Sequence, residues 1–310
     1  MPAIKSFDPE KNIPDLSGKI ILVTGGNQGI GKETVLALAQ HGPSHLYFTA
    51  RSTAKAEQTL AELKKRSPDT PVTVITCDLA SLASVKKAAQ DFLSKSNSLD
   101  VLILSAGIMA VPPAQTADGY EIQMGTNHIG HALLTKLLLP TLEQNAKTRD
   151  TRIVVVSSSA ALMARGIDYG ALKTDGKSRT VLGGTQILYC ESKLANVYFA
   201  QQLAEHYSGI TSVSVHPGVV RTHLIESQST LQKTVIKLSA YITQSGEILT
   251  PAQGAYNSLW AATVEKEKLT NGEYYYPVGV PGRKTKVLED KAASKRLWDW
   301  TMEELKSWTL

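Results

Sequence analysis

The chain has 310 residues, 42% hydrophobic and 20% charged, with a formal net charge of +5, which supplies a large core and excludes the charge excess of a disordered protein. Two cysteines, Cys77 and Cys190, exclude a disulfide scaffold and a thiolate metal site, and the basic clusters at Lys64-Lys65-Arg66 and from Arg283 to Arg296 are interleaved with acids and apolar residues, as on a solvated face rather than a nucleic-acid surface. No apolar run reaches the roughly 18 residues of a membrane span, and the opening MPAIKSFDPEKN lacks the apolar centre of a signal peptide, so a cytoplasmic location is the expectation.

After an extension over residues 1–17, the apolar run KIILVT (19–24) predicts a first strand, followed by a glycine-rich turn and a helical pattern from Ile30 to Gln40. A second strand at 45–51, a helix over 54–66, a third strand at 72–77 and a helix over 82–93 continue the rhythm. Then come a strand at 100–106, a long helix near 119–145 and a strand at 152–158. A helix from about 189 to 207, a strand at 211–217, a helix over 252–264 and the strand EYYYP (273–277) complete the alternation. Strands this uniformly apolar are buried on both faces. The expectation is an α/β, doubly wound Rossmann-type sheet, mostly parallel, of about seven strands flanked by helices in a single domain over 18–310.

Three segments break the rhythm. Residues 159–188, with Gly166, Gly170, Gly176, Gly183 and Gly184, and residues 223–250 follow carboxyl ends of strands, where such sheets hold ligands, and read as substrate loops. The C-terminal KRLWDWTMEELKSW has a helical apolar stripe over about 292–308, whose mixed charges fit packing on the protein better than a membrane surface.

TGGNQGIG (24–31) places Gly25, Gly29 and Gly31 between a strand and a helix N-terminus, where unpaired amides and the helix dipole favour a pyrophosphate. The second strand ends in Ala50-Arg51-Ser52 rather than an acidic residue. A guanidinium and a hydroxyl suit a 2'-phosphate, so the expected cofactor is NADP(H). Asp78, at the end of the third strand, has the chemistry to accept from an adenine amino group.

Two Tyr-x-x-x-Lys pairs occur, Tyr169 with Lys173 and Tyr189 with Lys193. The spacing puts phenol and ammonium on one helical face. Behind Tyr189 the apolar residues Leu194, Val197, Ala200, Leu203 and Tyr207 keep helical spacing, whereas Tyr169 stands among glycines, so Tyr189 is the candidate proton donor. A phenol titrates near ~10, and a cation one turn away is expected to bring it toward working pH. His128 and His131 read as packing residues, because no third metal ligand is evident. Cys190 reads as an inert buried thiol.

TGGNQGIG, CDLAS (77–81), TNHIGH (126–131), VVVSSSAA (154–161), YCESK (189–193) and HPGVVRT (216–222), in this order, resemble the short-chain dehydrogenases/reductases over about residues 18–280. The 159–188 segment and the HxGH helix look most like the retinol dehydrogenase-like branch. The resemblance implies that Tyr189 and Lys193 act with Ser158, which hydrogen-bonds the reacting carbonyl, and with Asn127, which organises a water leading from the lysine. Ser157 and Ser159 flank Ser158, so the register could be off by one. It further implies dinucleotide contacts from Gly25, Asn27, Gln28, Gly29, Ile30 and Gly31. Leu79, Ala106, Gly107, Pro217, Gly218 and Val220 join them, with Thr222 on the carboxamide and Lys193 on the ribose. The family's NNAG is replaced by Leu104-Ser105-Ala106-Gly107, which removes side-chain bonds between neighbouring strands.

The resulting expectation is an NADP(H)-dependent carbonyl reductase or alcohol dehydrogenase. Ile108, Met109, Val111 and the apolar residues of 223–250 suggest a lipophilic or aromatic ketone, aldehyde or secondary alcohol, with secondary metabolism one candidate setting. The alternatives are the same fold with chemistry redirected to isomerisation or cyclisation of a natural-product intermediate, and an NADPH-binding sensor without turnover. The family often dimerises through its central helices, which leaves a homodimer open, and no nucleic-acid partner is expected.

Overall fold

Strand β1 (Ile20–Val23) sends Ile21 and Val23 to one face of a sheet and Leu22 to the other, and each central strand repeats that alternation. In β2 (His45–Ala50), Leu46 and Phe48 join the first face and Tyr47 the second. In β4 (Val101–Leu104) and β5 (Arg152–Val156) the same period-two pattern divides Val101, Ile103 and Val154 from Leu102, Leu104, Ile153 and Val155. Both faces are therefore apolar and both need helices. The computed structural model describes residues 6–179, 184–221 and 248–310.

With β3 (Val72–Thr76), β6 (Thr211–Val215), β7 (Tyr274–Tyr276) and β8 (Val280–Pro281), the sheet has eight strands in the order β3-β2-β1-β4-β5-β6-β7-β8. The first seven pair in parallel, and β8 is a two-residue antiparallel edge on β7. Seven strands match the sequence expectation; the eighth is too short to register as an apolar run.

On one face lie α2 (Gly29–Ala39), α3 (Thr53–Arg66) and α8 (Pro251–Thr263), joined by Ile13 and Leu16, which follow the short helix α1 (Pro9–Asn12). On the other lie α4 (Leu82–Lys95), α6 (Gly130–Ala146) and α7 (Gln186–His206), overlain by the C-terminal helix α9 (Lys291–Glu304). Each buried Leu, Ile or Val in these layers contributes roughly 1.5–3 kcal/mol. Trp298 stacks on His206 and packs against Phe199, while Lys136 donates to the carbonyls of Leu305 and Trp308, so α9 is held to the domain.

The long helix expected near 119–145 is broken. A three-residue turn α5 (Ile122–Met124) passes into a π turn (Gly125–Ile129) before α6 begins. The strand order reverses between β1 and β4, opening a crevice at their carboxyl ends. The π turn lies beside that crevice, where such irregularities often serve function.

Candidate active site

The turn after β1 fits a phosphate. Gly25 has φ +70°, and a Cβ there would stand 3.0 Å from Cα of Ala106, so only glycine lets the turn lie against the segment after β4. Helix α2 then starts at Gly29 with Gln28 as N-cap and no side-chain bond to its first amides. Helix α3 likewise starts after Ser52 without a side-chain cap. By contrast, Ser81, Thr250 and Asp290 cap α4, α8 and α9 with their side chains. The starts of α2 and α3 thus keep their first amides free of side-chain caps, as does that of α7.

Arg51 and Ser52 are exposed, and Arg51 has no ion-pair partner among the described residues. Asp78 spends Oδ1 on the Ala80 amide at 3.0 Å, leaving its second carboxylate oxygen for a ligand. Leu79 and Val220 are buried walls, and Gly218 has φ +89° after Pro217. Asn27 and Ile30 are half-buried in the turn. Thr222 and most of 223–250 lie outside the described residues, as do 180–183 of the first loop.

Ser158, Tyr189, Lys193 and Asn127 converge from three elements. Ser158 follows β5, where its side chain accepts from the amide of Ala160 at 3.2 Å, and its hydroxyl is near enough to Tyr189 on α7 to lower that phenol's pKa. Its neighbour Ser157 is buried and donates to the carbonyl of Lys193 at 2.7 Å, tying α7 to β5. The ammonium of Lys193, almost wholly buried, donates to the carbonyl of Val156 at 3.1 Å and lies 5.8 Å from the centroid of the Tyr189 ring. Asn127, in the π turn, accepts from the amide of Ile108 at 2.8 Å and donates to its carbonyl and to Oγ of Ser192, both at 2.9 Å. A Cβ on Gly107 would lie 3.0 Å from Oδ1 of Asn127 and 3.5 Å from Nζ of Lys193, so the bare backbone there leaves both groups approachable.

The electrostatics differ from what the Tyr-Lys spacing suggests. Burial pushes the phenol of Tyr189 up to about 12, against the pull of the Ser158 hydrogen bond, and it pushes Lys193 down to about 8. Removing a phenolate from water outweighs an ammonium that already serves Val156. At neutral pH Tyr189 therefore holds its proton, and Lys193 is largely cationic. Cys190 is buried, with its thiol raised to about 11, and is not a nucleophile at neutral pH.

Tyr169 lies in the connection before α7. Its ring meets Trp300 edge-on and lies under Arg296, away from any helical partnership with Lys173. His128 bonds Oγ1 of Thr301 at 3.0 Å, and no group of metal-ligating side chains occurs among the described residues.

Several supporting side chains were not legible. His216 accepts at Nδ1 from the amides of Ser159 at 3.2 Å and Gly218 at 3.3 Å, joining the serine to the Pro217-Gly218 turn. Buried Gln123 accepts from Ala110 at 2.7 Å and donates to the carbonyl of Thr185 at 2.9 Å, fixing a wall residue whose φ is +49° to the start of α7. Glu191, buried between Tyr189 and Lys193, binds Arg179 at 2.7 Å, and Arg179 also pairs with Asp168. A carboxylate within the otherwise uncharged run LYCES was the available signal.

Residues 19–181 match the family model described as short chain dehydrogenase. The chain is 39% identical over 296 residues to a short-chain dehydrogenase/reductase of Armillaria gallica, covering 93% of this chain and 91% of that one. It is 37% identical over 286 residues to retinol dehydrogenase 11 of Homo sapiens, covering 92% and 85%. The crystal structure of a putative uncharacterized protein from Mycobacterium paratuberculosis superposes with a TM-score of 0.73 at 28% identity, covering 97% of each chain.

Proposed function

Because the chain belongs to the short-chain dehydrogenase/reductase family, we propose that this oxidoreductase is an NADP(H)-dependent carbonyl reductase acting on lipophilic ketones or aldehydes. The observation that carries the reading is the buried ammonium of Lys193, held by the carbonyl of Val156 at 3.1 Å and 5.8 Å from the centroid of the Tyr189 ring, at the end of β5 that bears Ser158. Bound NADPH would supply a hydride to the carbonyl carbon. The side chains of four residues of this protein then divide the remaining work.

Ser158 donates a hydrogen bond to the carbonyl oxygen, which becomes more negative as the carbon is reduced. Tyr189, protonated at neutral pH because burial raises its pKa to about 12, transfers its proton to that oxygen. Lys193 supplies positive charge behind the phenol and would hold the nicotinamide ribose, while Asn127 keeps the Gly107-Ile108 backbone in register beside it. The protonated phenol is the form that reduction consumes, and the reverse reaction needs the phenolate.

The guanidinium of Arg51, without an ion-pair partner among the described residues, and the Ser52 hydroxyl, which does not cap its helix, support NADP(H) over NAD(H). Partly exposed Ile108, Met109 and Val111 support an apolar substrate, as does Met163, which is 68% exposed beside the serine-bearing turn. The relative named for retinol is consistent with that chemistry.

The test is NADPH oxidation with a panel of lipophilic carbonyls. Tyr189→Phe should lower kcat by about 10²–10⁴-fold. Tight NADPH binding without turnover of any carbonyl would instead indicate a sensor.

A further inference from the structure

Thr24 and His131 are 107 residues apart in sequence and both are buried. Oγ1 of Thr24, the residue before Gly25, accepts from the amides of Ser105 at 2.9 Å and Ala106 at 3.0 Å. The same oxygen lies 2.9 Å from Nε2 of His131, and Nδ1 of His131 lies 3.0 Å from the carbonyl of Asn127.

Only one arrangement of protons satisfies all four contacts. A carbonyl can only accept, so Nδ1 of His131 carries the proton it donates to Asn127. A neutral imidazole then accepts at Nε2. Thr24 has committed both lone pairs to amides, so its own hydrogen points at Nε2. Protonation of His131 would set two donors against each other and force Thr24 to release an amide. Burial, together with the nearby Lys193 ammonium, holds the imidazole down at about 4, consistent with the neutral form.

We infer that Thr24 and His131 form a fixed relay of hydrogen bonds that sets the distance between the glycine turn, the Ser105-Ala106 segment and Asn127. Both are positioning residues for the dinucleotide and the reaction. The relay explains a histidine that neither binds metal nor faces substrate. The inference rests on the oxidoreductase reading for its functional consequence, but not for its proton arrangement.

Two measurements test it. In ¹⁵N-histidine NMR of the wild-type protein at neutral pH, His131 should be the neutral tautomer protonated at Nδ1; an Nε2-protonated tautomer or an imidazolium would overturn the relay. Thr24→Val removes the hydroxyl at nearly constant volume and should weaken NADPH binding, followed by cofactor fluorescence, by about tenfold. Thr24→Ser should recover most of that loss. The effects of Thr24→Val and His131→Leu on kcat/KM should be strongly non-additive, because either breaks the same chain. Additive effects, or a lowered Tm with unchanged NADPH affinity, would reduce both residues to packing. If wild-type protein binds no NADPH, the oxidoreductase reading falls, and the tautomer measurement still decides the relay.

Discussion

Arg51 presents a permanent charge to solvent at the end of β2, beside an uncapped serine and with no carboxylate where a ribose diol would need one. A phosphomonoester satisfies that pair; a bare ribose leaves it idle. Arg51→Ala should therefore weaken NADPH by about tenfold or more and NADH by less than about twofold, as measured by fluorescence titration. Equal losses would remove Arg51 from the phosphate site. The placement of Arg51 between a strand end and a helix start was readable because it depends on local order: strand, turn, charge. The pKa of Tyr189 was not. An ammonium one turn away argues for a lowered phenol, but desolvation depends on how β5, α7 and the π turn close around it, and that closure is a tertiary fact.

Among elements, the apolar runs marked each central strand, whereas the helix starts that Ser81, Thr250 and Asp290 fix by capping were placed in the sequence only by apolar periodicity. The π turn stayed hidden, since an insertion of part of a turn barely disturbs helical periodicity. Its cause is contact: a Cβ on Gly125 would meet Cγ2 of Thr116 at 2.3 Å, and one on Gly130 the carbonyl of Leu79 at 2.4 Å, so this stretch is pressed against two neighbours. The connection before α7 is held in a comparable way. Arg179 joins Asp168 to buried Glu191, and the amide of Asp168 donates to Glu191 at 3.2 Å. The segment that begins beside Ser158 is thus anchored to the helix carrying Tyr189. Arg179→Met should raise KM for a bulky carbonyl by about tenfold while kcat stays within about threefold, since it disturbs the pocket wall and not the proton donor. An unchanged KM would separate this anchor from substrate binding.

At the scale of the whole molecule, three imidazoles among the described residues are enclosed in neutral form. Burial lowers His128 and His216 to about 3 and His131 to about 4. Below the unfolded value of 6.5 the unfolded chain binds more protons at these positions than the native one, so stability falls as pH drops toward the folded values. The carboxyls of Glu121 and Glu191, raised by burial, oppose this. The net expectation is a Tm at pH 4.5 lower than at pH 7 by about 10 °C or more. A change of less than about 2 °C would show that the histidines are not buried neutral. The chain end joins the same body: Trp300 meets both Tyr120 and Tyr169, and Thr301 bonds His128. No helix among the described residues is long and apolar enough to cross a membrane.

The most direct measurement of the redox assignment follows the hydride itself. NADPH deuterated at the transferring C4 position is incubated with a lipophilic ketone, and the product is read by mass spectrometry for wild-type protein and for Tyr189→Phe. The wild type should yield an alcohol carrying the deuterium on the former carbonyl carbon, and Tyr189→Phe almost none. Alcohol without the label, or equal labelled product from the two proteins, would contradict the assignment of Tyr189 as proton donor in a hydride-transfer reaction.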